Sequence, residues 1–501
     1  MWTKADLQQL VKREIGDCRL VVVSNRQPYV HQVVDGKVRL DVPTGGLINA
    51  IDPLMQACGG TWVAYGSGDG DRLVVESGNR IQVPPDDPRY TMRLLWLTEE
   101  EEQGYYYGFS NEALWPLCHN AYTEPNFEER DWQTYKRVNQ LFAGHVLDEI
   151  GSRPAVVFTQ DYHLALLPRL LRSAAADVIT GQFWHIPWPN PDIFRICPWQ
   201  EEILDGMLGN DLLGFHIGEH SNNFISTVAR TMNAKVDTEY NFVNYKGGTT
   251  LVRPIPISVD FDEINQEAQS EAVAAEMERL VDEFHLEGQV IGLGIDRIDY
   301  TKGIPHRLKA IGRFFEKYPA YCGKVVFVQA GVMSRSNIDA YRLLGEQIDR
   351  ELDEVNNRFS RSGWQPIIYL PTDLPNVTLM ALRLLAQFCI VSSLHDGMNL
   401  VAKEYVASRF DGDGVLILSP FTGAALELTQ ALIVNPYATE NFADDILKAV
   451  TMPEDERRAR MQQMRATVEE NNIYKWAAQL LVQLLQRTRR GGEAALSSSV
   501  R

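Results

Sequence analysis

Short runs of apolar, mostly β-branched residues recur along the chain and alternate with longer stretches of helical period. In the first half these runs are RLVVVS (19–24), AVVFTQ (155–160), VITGQFW (178–184) and LLGFH (212–216). In the second half they are QVIGLGI (289–295), KVVFVQA (324–330), PIIYLP (366–371), FCIVSS (388–393) and VLILS (415–419). A strand that is apolar on both faces belongs in a parallel sheet covered by helices. The pattern therefore predicts an α/β fold in which one parallel-sheet architecture is built twice.

A proline-containing segment marks the change from the first α/β series to the second. VRPIPISVDFDEI (252–264) disfavours helix, and a new helical pattern starts directly after it. At 501 residues the chain is also too long for one ordinary core. We expect an N-terminal domain over 1–257 and a C-terminal domain over 258–471. The apolar helix expected over 472–488 would pack back onto the N-terminal domain, and 489–501 would be a mobile tail.

Charge and composition disfavour several classes of partner. Forty-eight Lys and Arg against 66 Asp and Glu give a net charge of −18, which opposes binding of nucleic acid or of an acidic membrane surface. The six cysteines lie far apart without the spacing of a metal site or a disulfide framework, so we expect reduced thiols in a cytoplasmic protein. The sequence shows neither a signal-peptide pattern nor an apolar run of membrane-spanning length.

The N-terminal segment predicts an amphipathic helix over residues 2–15. Its apolar stripe consists of Leu7, Leu10, Val11 and Ile15. Such a stripe could serve an interface between copies of the chain. We expect a homo-oligomer, either a dimer or a tetramer.

Two cations follow the first strand of the second series, in IDRIDYTKGI (295–304). Ligands of open α/β sheets bind beyond the carboxyl ends of the strands, so such loops are the first places to look for a site. Arg297 and Lys302 could neutralise a diphosphate, through the planar fork of the guanidinium and the point charge of the ammonium. Two ordinary surface cations remain the alternative interpretation.

An aspartate and a glutamate stand eight residues apart in SSLHDGMNLVAKEY (392–405). Asp396 begins a glycine-containing turn, and the amides of residues 397–399 could meet sugar hydroxyls at a helix N-terminus. Glu404 would lie roughly 12 Å farther along the helix, where it could reach a ribose diol. That separation exceeds the roughly 5 to 9.5 Å of paired glycosidase carboxylates, which disfavours a hydrolase. Acids also recur at this spacing by chance.

Four loops of the first half carry further candidates. Their sequences are SNRQPY (24–29), TGGLINAIDPLMQA (44–57), DYHLALLP (161–168) and WHIPWPNPDIF (184–194). Gly45 and Gly46 could bring backbone amides to a phosphate at a helix N-terminus, although a plain turn is the commoner role of two glycines. His185 could be catalytic or structural, and the prolines around it imply a rigid turn.

In their order and spacing these segments resemble the trehalose-6-phosphate synthases, which are retaining glycosyltransferases of family 20 with the GT-B fold. The resemblance covers residues 18–485 and rests on SNR with a downstream GGL, YYYGFSNEALWP, DYHL, HIPWP, DRIDYTKG, DGMNLVAKEY and FTGAALEL. It implies two Rossmann-like, doubly wound domains that face each other across a cleft. It also implies transfer of glucose from a nucleotide-glucose, with UDP-glucose expected, to glucose 6-phosphate.

The donor residues that the resemblance implies lie mostly in the second domain. They would bind the diphosphate, the ribose, the base and the glucose. Arg297 and Lys302 would bind the diphosphate, with Gly45 and Gly46 closing over it from the other domain. Glu404 would bind the ribose, and Leu374 would contact the base through its backbone. The residues that would bind the glucose are Asp396, His185, Gly397, Met398, Asn399, Leu400 and Val401. The members expected to be catalytic are His185, Asp396, Arg297 and Lys302.

The implied acceptor residues lie mostly in the first domain. Arg26 and Arg335 would hold the 6-phosphate. The residues expected to line the sugar are Trp62, Tyr106, Trp115 and Asp161. Local positive charge would let a protein of net charge −18 bind two anionic substrates. No metal or cofactor would be required, and the DxD patterns at 260–263 and 411–414 are interpreted as turns.

Two positions depart from the commonest family pattern. His395 stands where an arginine usually precedes Asp-Gly, and Met333 stands where a proline usually precedes Ser-Arg. They leave acceptor and donor preference open, including the donor base. One alternative is a sister transferase such as a glucosylglycerol-phosphate synthase, which the aromatic residues disfavour because a three-carbon acceptor would leave them unfilled. The other is a non-catalytic regulatory subunit, which the retained phosphate ligands disfavour.

Overall fold

The apolar runs singled out in the sequence all form β-strands, whose ends differ from the predicted ones by two residues at most. The computed structural model describes residues 1–16, 18–42, 46–175, 177–335, 337–361 and 363–498. The chain divides into two compact units. The first comprises residues 2–257 with the segment from Ile473 onwards, and the second comprises residues 258–472 with Met1.

The secondary-structure elements of the described residues have the following bounds. The strands are β1 (Arg19–Ser24), β2 (Val30–Val34), β3 (Lys37–Asp41), β4 (Thr61–Tyr65), β5 (Arg80–Val83), β6 (Tyr90–Leu95), β7 (Ala155–Gln160), β8 (Val178–Phe183), β9 (Leu212–Phe215), β10 (Lys235–Asp237), β11 (Phe242–Tyr245), β12 (Gly248–Pro254), β13 (Val290–Ile295), β14 (Val325–Ala330), β15 (Ile367–Leu370), β16 (Phe388–Val391), β17 (Val415–Leu418) and β18 (Leu432–Ile433). The α-helices are α1 (Lys4–Glu14), α2 (Gly46–Cys58), α3 (Asp71–Val74), α4 (Glu99–Glu102), α5 (Trp115–His119), α6 (Glu129–Ile150), α7 (Leu167–Ala174), α8 (Pro191–Phe194), α9 (Gln200–Met207), α10 (Gly218–Thr231), α11 (Phe261–Glu267), α12 (Glu271–Phe284), α13 (Ile304–Lys317), α14 (Asp339–Phe359), α15 (Asn376–Leu385), α16 (Leu400–Ser408), α17 (Thr439–Thr451), α18 (Glu454–Glu470) and α19 (Ile473–Ser498). A π-helix spans Gln103–Leu114, and 3₁₀ turns span Tyr162–Leu164, Tyr300–Lys302, Pro319–Tyr321 and Gly423–Leu426.

The large sheet of the first unit is parallel through most of its width. Its strand order is β10-β11-β12-β9-β8-β7-β1-β4-β6-β5. The strands from β12 to β6 pair in parallel, and the antiparallel strands β5, β10 and β11 extend the two edges. Strands β4, β6 and β5 lie in that order on one side of β1, and the chain then returns to add β7 on the other side. The topological switch point, where such sheets bind ligands, therefore lies between β1 and β7.

The sheet of the second unit is parallel across all its described strands. Its order is β15-β14-β13-β16-β17-β18. This is the strand order of a doubly wound dinucleotide-binding fold, with the switch point between β13 and β16. Helices α13, α14 and α17 pack together as one group, and α12, α15, α16 and α18 as another. Apolar side chains of the first group, such as Phe314 and Ile348, join those of the strands in one core.

The apolar stripe of the N-terminal helix is used inside the first unit. Helix α1 packs against α2 and α19, and Leu7, Leu10 and Ile15 are buried there. The expectation that this stripe serves an interface between copies is therefore corrected, because elements of the same unit cover it. Helix α19 extends to Ser498, beyond the end expected at residue 488, and its Trp476 is buried against Phe183 with ring centroids 5.1 Å apart.

Among the described residues, no helix combines the length and the apolar character that a membrane crossing demands.

Candidate active site

The loops after β13 and β16 meet at the switch point of the second unit. The backbone N–H of Leu394 donates to the carbonyl oxygen of Thr301 at 2.7 Å, which ties the two loops together. The first loop turns sharply after Lys302 because Gly303 has a φ of 65°, where a Cβ would lie 2.2 Å from the carbonyl oxygen of Ser392. Only glycine fits this approach. Arg297 lies two residues beyond β13 and is half-buried.

Three donors converge on one carboxylate oxygen of Asp396. The Nζ of Lys302 is 2.5 Å from Oδ2, and both side chains are only 14% exposed. The Oγ of Ser393 and the Nδ2 of Asn399 donate to the same oxygen at 3.1 and 3.2 Å. A partly buried carboxylate needs such partners to remain charged. The structure thus brings together Lys302 and Asp396, which the sequence predicted on separate loops.

The segment from Gly397 to Val401 leads into helix α16, which begins at Leu400. Asn399 is its N-cap, with a φ of 75° and a side chain that accepts from the N–H of Ala402 at 3.2 Å. The N–H groups of Leu400 and Val401 belong to the first turn, where a helix offers donors without intrahelical acceptors. This end of α16 therefore has the chemistry of a site for an anion or for sugar hydroxyls.

A second loop fixes the position of this helix start. The N–H of Asp396 donates to the carbonyl oxygen of Phe421 at 2.9 Å, and the N–H of Ala424 donates to that of Met398 at 2.9 Å. Deeper in the helix, the buried Nζ of Lys403 is 2.7 Å from Oε1 of Glu427. These contacts to residues 421–427 were not predicted, since their partners are distant in the chain.

Glu404 faces a partner that the sequence analysis missed. The Nη2 of Arg383 lies 2.5 Å from its Oε2, and the side chains are 6% exposed for Arg383 and 13% for Glu404. Arg383 belongs to α15, so no local spacing could have revealed the pair. Leu374, the predicted contact of the base, is half-buried in the loop between β15 and α15.

Arg335 is a buried residue of the second unit. Its side chain is 5% exposed, and its Nη1 lies 3.5 Å from Oδ2 of Asp299 and 2.5 Å from the hydroxyl of Tyr341. Burial acts to raise the pKa of Asp299, but the charges of Arg335 and Arg297 hold it below its ordinary value. Asp299 is therefore an ionised carboxylate inside the protein, and the guanidinium of Arg335 compensates its charge.

In the first unit, Arg26 follows β1 and Asp161 follows β7, the two strands at its switch point. The Nη2 of Arg26 donates to the hydroxyl of Tyr106 at 2.9 Å. The carbonyl oxygen of Tyr106 accepts from Nδ2 of Asn111 at 2.7 Å, and Oδ1 of Asn111 accepts from the Tyr162 hydroxyl at 2.8 Å. A hydrogen-bonded chain thus links the loop after β1 to the loop after β7.

A π-helix carries Tyr106 and leads directly into Trp115. It covers Gln103–Leu114, and the N–H of Trp115 bonds to the carbonyl oxygen of Ser110, five residues back. π-Helical turns are rare and occur frequently at functional sites. The segment YYYGFSNEALWP carries part of the resemblance, but its residues contain no signal that predicts this geometry.

Asp161 and His185 lie together at the ends of β7 and β8. Oδ1 of Asp161 accepts from the backbone N–H of His185 at 3.1 Å. The ring Nε2 of His185 is 2.9 Å from Oε1 of Gln160. Burial lowers the pKa of His185 to about 3, so its imidazole is neutral at physiological pH.

Trp62 corrects one of the predicted acceptor contacts. It is the second residue of β4, is 0% exposed, and donates from Nε1 to Oγ of Ser24 at 2.7 Å. A ring enclosed near the start of a strand cannot line a sugar at the carboxyl edge of the sheet. The aromatic residue at that edge of β4 is Tyr65, which is half-buried.

Only one of the two predicted phosphate-binding glycines lies within the described residues. Gly45 lies outside the described residues, and Gly46 is the first residue of α2. Among the described residues, no group of three or more His, Cys, Asp and Glu side chains is arranged to hold a metal ion.

One protein family matches a stretch of the chain that includes every predicted site residue. The model of glycosyltransferase family 20 matches residues 18–486. The chain belongs to glycosyltransferase family 20. As a member of family 20 it is an enzyme, and the predicted fold of two Rossmann-like units in a GT-B glycosyltransferase is confirmed.

The similar proteins include longer ones as well as several of similar length. A bifunctional trehalose-6-phosphate synthase/phosphatase of Thermoproteus tenax is 37% identical over 479 residues, which cover 93% of this chain and 63% of that protein. A solved E. coli structure, bound with UDP-2-fluoro glucose, is 31% identical with a TM-score of 0.83 and covers 93% of this chain and 99% of its own. An α,α-trehalose-phosphate synthase (UDP-forming) from Burkholderia xenovorans, in complex with glucose 6-phosphate, is 30% identical with a TM-score of 0.83 and the same two coverages.

Proposed function

We propose that the protein transfers glucose from a nucleotide-glucose to glucose 6-phosphate, giving α,α-trehalose 6-phosphate and the nucleoside diphosphate. The donor that we expect is UDP-glucose. The observation that carries this proposal is the contact between Lys302 and Asp396 at the switch point of the second unit. To bind a nucleotide sugar, a protein needs a residue that contacts the diphosphate next to a residue that contacts the sugar. The compounds bound to the E. coli and Burkholderia xenovorans relatives support the choice of donor and acceptor.

On the donor side, charge complementarity divides the substrate among the residues of the second unit. Arg297 and Lys302 would neutralise the diphosphate, whose leaving becomes easier as its charge is stabilised. Asp396 would accept hydrogen bonds from the glucose, and the amides of residues 397–401 would donate to it or to the diphosphate. Glu404 would accept from the ribose, and the backbone of Leu374 would contact the base.

On the acceptor side, we assign Arg26 and Arg335 to the phosphate. Tyr106, Trp115 and Asp161 would contact the sugar ring. The neutral imidazole of His185 can hydrogen-bond a sugar without adding charge, which suits a role in positioning the donor glucose better than a role as general acid.

The chemical step that we propose retains the configuration at the anomeric carbon. The bond between C1 of the donor glucose and the diphosphate oxygen breaks, and a bond from C1 to the anomeric oxygen of the acceptor forms on the same face. The acceptor proton passes to the departing diphosphate. Fixed cations and amides would stabilise the charge that develops there, so the proposal needs no metal and no covalent carboxylate intermediate.

The test is an end-point assay of the purified protein with UDP-, ADP- and GDP-glucose, each crossed with glucose 6-phosphate and glycerol 3-phosphate. We expect product with glucose 6-phosphate, an α,α linkage by NMR, and unchanged activity in excess EDTA. Transfer to glycerol 3-phosphate alone would replace the proposal with the sister activity. Binding of the substrates without turnover in any combination would indicate a regulatory protein instead.

A further inference from the structure

We infer that Arg383 is a positioning residue, which orients the carboxylate of Glu404 for recognition of the nucleotide ribose. The inference rests on the proposed function, since it concerns how the donor is recognised. It adds a residue that does not itself touch the substrate. Arg383 acts through one contact, the hydrogen bond from its Nη2 to Oε2 of Glu404 at 2.5 Å.

The surroundings of the pair make this contact directional. Both side chains are largely enclosed, so neither charge is compensated by bulk water. A charged hydrogen bond in such a place is shorter and stronger than one on the surface, and it restricts rotation of the carboxylate. Because Oε2 is engaged by Arg383, we assign Oε1 to the ribose hydroxyls.

The backbone of Arg383 is itself held in place. The Nη1 of Arg409 lies 3.1 Å from the carbonyl oxygen of Arg383, 2.7 Å from that of Leu384 and 2.8 Å from that of Ala386. These bonds satisfy the carbonyl groups at the end of α15, which a helix leaves without partners. Arg409 therefore caps the end of α15, a structural role separate from the side-chain contact between Arg383 and Glu404.

The experiment compares binding of UDP and of 2′,3′-dideoxy-UDP by isothermal titration calorimetry. In the wild type, loss of the two hydroxyls should weaken binding by about tenfold or more, as expected for hydrogen bonds to a charged carboxylate. Arg383→Met should bind UDP more weakly but 2′,3′-dideoxy-UDP about as well as the wild type does, so that the ratio of the two affinities approaches one. Arg383→Lys should restore part of the ratio.

Arg409→Lys is the matched control. It disturbs the same end of α15 without touching Glu404, so its ratio should stay within about twofold of the wild-type value. If Arg383→Met is too unstable to purify, Arg383→Gln keeps a neutral hydrogen-bond donor beside Glu404, and its ratio should fall between one and the wild-type value.

The outcomes separate this inference from the proposed function. A wild type that discriminates between the two nucleotides, with the same ratio retained in the Arg383 variants, would overturn the inference alone. An equal fall of the ratio in Arg409→Lys would also overturn it, because the effect would then belong to the helix end. A wild type that binds no UDP would overturn the proposed function and this inference with it.

Discussion

The ammonium nitrogen of Lys302 lies 2.5 Å from Oδ2 of Asp396, although 94 positions separate the two residues in the chain. Strand order explains the encounter, because β13 and β16 are neighbours in the sheet. The pair couples a proposed ligand of the diphosphate to a proposed ligand of the sugar. Neither residue can be changed without altering the electrostatics of the other.

This coupling predicts non-additive losses of activity. Lys302→Met and Asp396→Asn should each lower kcat/KM by on the order of 10² or more, as for the loss of an electrostatic stabiliser. The double variant should lose less than the product of the two factors, since each single change already breaks the shared contact. Steady-state kinetics of the four proteins measures the coupling, and strictly multiplicative losses would show that the two residues act independently.

Arg297 should affect turnover more than stability. It is half-buried, and its charge helps to keep Asp299 ionised, but Arg335 still compensates that carboxylate when Arg297 is changed. Arg297→Ala should therefore lower kcat by on the order of 10² with only a small fall in the melting temperature. Turnover assays and differential scanning calorimetry check both parts. Near-normal turnover would remove Arg297 from the diphosphate site.

Arg335 should affect binding and stability together. Arg335→Ala should raise the KM for glucose 6-phosphate by about tenfold or more, through the loss of a charged hydrogen bond. It should also lower the melting temperature, because the buried carboxylate of Asp299 loses its partner. Tyr341→Phe is the control, since it keeps both charges and removes only the hydroxyl, which accepts from Arg335 and donates to Asp299. An acceptor KM unchanged in Arg335→Ala would contradict the assignment.

Glu149 predicts a pH dependence of stability in the first unit. Its side chain is 6% exposed and accepts from Thr61 and from the guanidinium groups of Arg19, Arg80 and Arg93. Burial acts to raise the pKa of Glu149, but the hydrogen bonds from Arg80 and Thr61 outweigh it and leave the pKa below 4.5. A lowered folded pKa contributes stability above the unfolded value and loses it as the pH falls through the folded one.

Glu149→Gln should therefore destabilise the protein by about 3 kcal/mol at pH 7. The difference in free energy of unfolding between the variant and the wild type should narrow as the pH is lowered below 4.5, because protonation of the wild-type carboxylate removes its stabilising charge. Calorimetric melting curves at several pH values measure the gap. A gap that stays constant down to pH 3 would mean that the charge of Glu149 is not what stabilises the unit.

His185 should remain neutral throughout the working range of the enzyme. Its pKa is lowered to about 3 by burial, whereas an unfolded histidine has a pKa of about 6.5. Side-chain ¹⁵N chemical shifts, assigned by comparison with His185→Gln, should show no titration of this ring between pH 8 and pH 5. A midpoint near 6.5 would contradict the assigned protonation state and reopen the possibility of proton transfer by this residue.

The sheets could be predicted because their strands are apolar on both faces, as in AVVFTQ for Ala155–Gln160. The exposed strand β3 and the edge strands β5 and β10 could not, since they are short and lack that pattern. Strand β4, which contains Trp62, was not predicted either. Every position of β4 but the last is buried, so the pattern alone cannot tell a core aromatic residue from one that lines a site.

Local motifs could predict the charged residues of the donor loops, but not their partners. Asp396 and Lys302 are each recognisable within a short segment, whereas Arg383 reaches Glu404 from another helix. Such pairs depend on how α15 and α16 pack, which no spacing in the chain encodes. The electrostatic environment of a site is therefore less predictable than the identity of its first ligands.

The first unit is interrupted by the second, and this has a consequence for biosynthesis. Residues 258–472 are contiguous and can complete their core as soon as they leave the ribosome. The sheet of the first unit is synthesised earlier, but its core is complete only after the final segment is made, because α19 packs on β8 and β9 and buries Trp476 there. The first unit is thus translated first but completes its core last. A nascent chain stalled before residue 473 would still expose that apolar surface to chaperones.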